Sequence, residues 1–92
     1  MRITAEISLY PLKEGFVAPI LECIALLRRQ PGIEVVTNQM STQLRGEFDQ
    51  VLAAVSAGMR AAMEQPGTVV FVVKCINADL PIANAPALER SA

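Results

Sequence analysis

The 92-residue sequence contains no histidine and no tryptophan, and aromatic residues make up only 4% of it. Without histidine the chain lacks the side chain most often used for general acid–base catalysis, and the commonest nitrogen ligand for metals. The formal net charge is −1, the 8 basic residues are scattered, and only Arg28 and Arg29 are adjacent. Such a chain has neither the positive field nor the stacking surface that nucleic acid requires. No apolar run approaches the ~20 residues of a membrane span. Met1-Arg2-Ile3 enters a strand pattern directly, without the organisation of a signal peptide, so a cytoplasmic location is expected. Cys23 and Cys75 are far apart and form no metal-binding or redox pair. Both are expected to be small buried apolar side chains.

Catalytic motifs are absent as well. There is no glycine-rich dinucleotide or phosphate loop and no nucleophile elbow. Glu47 and Asp49 lie at a helix start, where the helix dipole accounts for them without chemistry. The chain is therefore expected to be no enzyme, and to need no metal and no cofactor.

Apolar residues make up 52% of the chain and charged residues 18%. That composition excludes disorder and leaves more apolar surface than one small core consumes. The surplus points to a subunit contact. From Arg2 to Tyr10 apolar and polar residues alternate, with Ile3, Ala5, Ile7 and Leu9 on one face of a strand. Phe16 to Gln30 follows a helical period and stops at Pro31-Gly32. Ile33 to Asn38 and Met40 to Arg45 read as two strands joined by a tight turn at Asn38-Gln39. Glu47 to Glu64 is a second amphipathic helix, with Phe48, Val51, Leu52, Val55, Met59, Ala62 and Met63 expected on its buried side. Thr68 to Ile76 is a last strand, apolar on both faces and expected to be covered on both. The order β-α-β-β-α-β defines an α+β, ferredoxin-like fold. Its four-stranded antiparallel sheet has the first and third strands central and both helices on one face. Residues 1–77 form the domain, and 78–92 are expected to be a loosely ordered tail.

This topology gathers Ser8, Tyr10, Asn38, Ser41 and Thr42 around one end of the sheet. Glu6 and Gln43 lie deeper, on the face away from the helices. The hydroxyls and amides suit the edge of a flat heterocycle, and Glu6 supplies negative charge for a cation. From the pattern alone, polar groups that meet water and turn residues that bond local backbone are the simpler account. Lys74 is placed to pair with Glu6.

Ile7-Ser8-Leu9-Tyr10-Pro11-Leu12, Met40-Ser41-Thr42-Gln43-Leu44-Arg45-Gly46 and Val72-Val73-Lys74-Cys75 occur in that order. Together, over about residues 3–82, they resemble the YkoF-related thiamine/hydroxymethylpyrimidine-binding family. The resemblance implies non-catalytic binding of thiamine or its pyrimidine part, in uptake or salvage of thiamine precursors. It carries ligand roles to Ser8, Tyr10, Ser41 and Thr42; Glu6 and Asn38 are added from geometry. Tandem copies in well-known members imply that this single domain forms a homodimer or a dimer of dimers. The alternative is a regulatory or assembly module of the same fold, whose open sheet face is only an oligomer interface.

Overall fold

The computed structural model describes residues 1–86. Its elements are β1 (Arg2–Pro11), α1 (Val17–Arg28), β2 (Ile33–Thr37), β3 (Thr42–Glu47), α2 (Phe48–Met63) and β4 (Val69–Ile76). The strands form one antiparallel sheet in the order β2-β3-β1-β4. This is the expected ferredoxin-like α+β arrangement.

The alternation of β1 decides where the core lies. Ile3, Ala5 and Ile7 are buried beside Leu44 of β3, Cys23 and Leu27 of α1, and Val51, Ala54 and Val55 of α2. Burying a side chain as large as Leu27 contributes about 1.5–3 kcal/mol. The two helices approach through small residues. A Cβ added at Gly58 would stand 3.1 Å from Leu27 Cδ2 and 3.6 Å from Cys23 Sγ. Ala54 and Gly58 are thus buried, whereas Phe48, Leu52 and Met63, expected inside, are exposed. The contact side of α2 is its small-residue stripe, because only small residues let the helix axes come this close.

Three further expectations are corrected. Neither face of β4 is fully covered: Val70, Val72, Val73 and Ile76 are all exposed. The helices sit over the middle of the sheet, and β4 is its edge. Cys75 lies on that edge and is exposed; of the two cysteines only Cys23 is buried. The hairpin turn is centred on Gln39-Met40, one residue later than expected, and β3 starts at Thr42. The side-chain parity of β3 is unchanged.

Two strands of unequal length meet at the hairpin end. The ladder of β1 with β3 stops at Ile7↔Thr42. The ladder with β4 continues to Pro11↔Val69. Residues 8–11 of β1 therefore extend past the end of β3 and, among the described residues, are paired on one side only.

Beyond β4 the described chain has no helix or strand, but it is tied to the open face of the sheet. Buried Thr4 donates its hydroxyl proton to Ala78 O at 2.8 Å and accepts from Leu80 N at 3.0 Å. Asp79 accepts from Arg2 Nε at 3.0 Å and lies 2.9 Å from Arg45 Nε. The final part of the expected tail, 87–92, lies outside the described residues.

Candidate functional site

The overhang of β1, the β2–β3 hairpin and the face of α1 that carries Ile20, Cys23, Ile24 and Leu27 line a cleft of about 500 Å³. That volume falls within the roughly 300–1,000 Å³ usual for small-molecule sites. Only two residues of α1 are fully buried, both in its C-terminal half. Cys23 and Leu27 reach the core, while Phe16, Val17 and Leu21 are exposed. Ile7, Leu9 and Leu27 line the interior, and exposed Tyr10, Leu12, Phe16 and Met40 surround the mouth.

The hairpin is held by its own side chains. Asn38 N donates to Ser41 O at 3.1 Å, and Asn38 Oδ1 accepts from Met40 N at 2.8 Å and Ser41 N at 3.1 Å. Such a side-chain turn lets residues without positive φ make a two-residue loop. Below it, the Thr37 and Thr42 hydroxyls bond each other at 3.0 Å on the helix side.

Five of the six residues singled out in the sequence line this cleft: Ser8, Tyr10, Asn38, Ser41 and Thr42. Glu6 does not. It lies on the open face, where its carboxylate accepts from Ser41 Oγ at 2.8 Å and pairs with Lys74 Nζ at 3.2 Å. Gln43 Nε2 donates to Ser41 Oγ at 3.1 Å and completes the network. The Ser41 hydroxyl, and after it Lys74, hold the Glu6 carboxyl below its ordinary pKa. Ser41 is thus common to both places: it lines the cleft and bonds across to the open face.

Among the described residues, none that lines the cleft is charged. The lining offers no counter-charge to a buried charge of either sign. Burial pushes the Cys23 thiol pKa up, so it stays protonated and unreactive. The cleft suits a flat, largely apolar ring with a polar edge. A second hollow of about 530 Å³ lies on the open face, between the Glu6–Lys74 pair and the segment that carries Leu80 and Ile82. Its two charges neutralise each other. Among the described residues no cluster of three or more potential ligands could hold a metal ion, and no helix is long and apolar enough to cross a membrane.

Sequence reasoning missed Thr37, Gln39 and Phe16 as lining residues. Thr37 was readable as the cross-strand partner of Thr42. Phe16 has the helical spacing of an apolar stripe, yet it is exposed beside the mouth.

The YkoF-related family matches residues 2–81, and the chain belongs to it. A protein of Streptococcus pneumoniae is similar at 26% identity and TM-score 0.79, over 87% of this chain and 90% of that one. A hypothetical protein of Methanocaldococcus jannascii is 26% identical with TM-score 0.74, over 85% of this chain and 81% of that one. A candidate thiamine biosynthesis/salvage protein of Thermotoga maritima superposes with TM-score 0.69 at 19% identity, over 94% of this chain and 90% of that one. The last likeness bears on the fold alone. No curated protein matches the chain.

Proposed function

We propose that this chain is a non-catalytic, cytoplasmic binder of thiamine or its hydroxymethylpyrimidine moiety, serving uptake or salvage of thiamine precursors. The observation that carries the reading is the uncharged cleft at the hairpin end, where Ser8, Tyr10, Asn38, Ser41 and Thr42 converge. Membership of the YkoF-related family agrees with a role connected to thiamine. Ligand would enter past Tyr10 and Met40, and the ring would lie against Ile7 and Leu9. Glu6 is bound to Ser41 and Lys74, so its part is to orient Ser41 rather than to meet a thiazolium cation.

The reading includes a homodimer, because β4 leaves an apolar edge and two exposed faces. An edge of that length is normally covered. The cleft and the open sheet face share Ser41 but otherwise differ in their lining, so an oligomer interface on the open face leaves the mouth of the cleft accessible.

Calorimetric titration with thiamine and with hydroxymethylpyrimidine tests the proposal, with light scattering on the same samples. Saturable binding at one ligand per chain is expected. Replacing Thr42 by Ala should weaken it about fivefold to tenfold, as for one hydrogen bond of roughly 1–1.5 kcal/mol. No heat from a folded, oligomeric protein would remove the ligand reading and leave the assembly module.

A further inference from the structure

We infer that the main chain of Leu9 is the recognition edge of the cleft, and that it reads a ring carrying a nitrogen acceptor beside an amino donor. The inference rests on the binding function proposed above and deepens it.

Hydrogen bonding in an antiparallel ladder alternates from residue to residue, so each residue aims both its N–H and its C=O at one neighbouring strand. Two bonds at the strand ends fix the phase. Leu12 N donates to Thr68 O at 2.9 Å, which turns the even residues of β1 towards β4. Phe48 N donates to Met1 O at 2.8 Å, which turns the odd residues towards β3. Ile3, Ala5 and Ile7 accordingly bond with Gly46, Leu44 and Thr42. Leu9 is next in that series, and its counterpart by register would be Met40. Met40 lies in the turn, and its N–H is held by Asn38 Oδ1 at 2.8 Å. The N–H and C=O of Leu9 thus face the cleft, with no partner among the described residues.

Pro11 continues the same side of the strand. It has no N–H, and a proline is tolerated at that point because no strand is there to receive one. The exposed edge therefore offers one donor, at Leu9, and two acceptors, the carbonyls of Leu9 and Pro11. In an extended residue the N–H and C=O run nearly parallel. They can engage two adjacent atoms of a planar ring, a ring nitrogen accepting and an amino group donating. The aminopyrimidine of hydroxymethylpyrimidine has that edge, and no charge is needed to hold it. A ring with an oxo group and a protonated nitrogen presents the reverse order, so in the same pose it opposes like groups to those of Leu9, and it can pair with them only turned over, with its ring substituents exchanged between the two sides of the cleft.

The test follows the Leu9 amide itself. Amide hydrogen exchange is measured by NMR on the full chain, free and saturated with hydroxymethylpyrimidine, and affinity is measured for its oxo analogue. Saturation should slow exchange at Leu9 about tenfold or more, with Ile7, already bonded to Thr42, little changed. The oxo analogue should bind at least about tenfold more weakly, since a buried donor and acceptor would be left unpaired. Binding of both rings with equal affinity and unchanged exchange at Leu9 would overturn the inference and leave the binding function standing. No binding of either ring would overturn both.

Discussion

Glu6 shows how far a single residue could be read from sequence. Its strand parity placed it on the open face, and its pairing with Lys74 followed from the register of two strands. Its removal from the cleft could not be read in the same way. That depends on the Ser41 rotamer, which carries the hydroxyl across to the carboxylate at 2.8 Å. The consequence is a stability linked to pH. The folded pKa of Glu6 lies below its ordinary value of 4.5. The group therefore stabilises the fold above that value, and the contribution is lost as pH falls through the folded pKa. Chemical denaturation of wild type and Glu6→Gln across pH 3–7 should show wild type ahead near neutrality. The gap should close as the solution becomes more acid. A gap independent of pH would mean that the carboxylate contributes no charge-dependent stability. The carboxylate is partly exposed and Lys74 largely so, hence the effect should be small and salt-sensitive.

At the scale of elements, periodicity was sufficient for type and order. Alternation in β1 and β3 and the helical spacing of α1 and α2 gave six elements in the correct topology. Boundaries at the hairpin were displaced, because Asn38 and Ser41 are compatible with both strand and turn and the Asn38 side chain decides between them. Burial on α2 was the poorest reading. Size was taken as the mark of the inner face, whereas close helix approach selects Ala54 and Gly58. A bulkier Gly58 should reveal this. The Cβ already falls 3.1 Å from Leu27, a fully buried side chain with little freedom to retreat. Gly58→Val should therefore lower stability by about 1–3 kcal/mol in thermal or denaturant unfolding. An unchanged or raised midpoint would show that the helices separate easily. The cleft was only half legible for a related reason. The polar residues at its end followed from topology, but its apolar wall, from Phe16 and Ile20 to Leu27, depends on how α1 lies across the sheet.

At the scale of the molecule, the segment after β4 closes the chain upon itself. Thr4 holds Ala78 and Leu80, while Arg2 and Arg45 hold Asp79. Nothing in the local sequence pattern announces this, because Asn77 onward has no period and the contacts reach back as far as 77 residues. Thr4→Val keeps the shape and strands the Leu80 amide. It should cost about 1–3 kcal/mol and speed hydrogen exchange at Leu80 well beyond that of the β1–β3 ladder. Equal exchange in both proteins would show that the ionic contacts of Asp79 suffice.

Ser41 has one hydroxyl proton and gives it to Glu6 on the open face, while the residue itself also lines the cleft. A ligand that draws this proton into the cleft must release the Glu6 carboxylate from its strongest stabilising contact. Occupancy of one side of the sheet and the charge state of the other then belong to a single equilibrium. By thermodynamic reciprocity each must alter the other by the same factor. The sheet that separates the two surfaces is in this sense the wire between them.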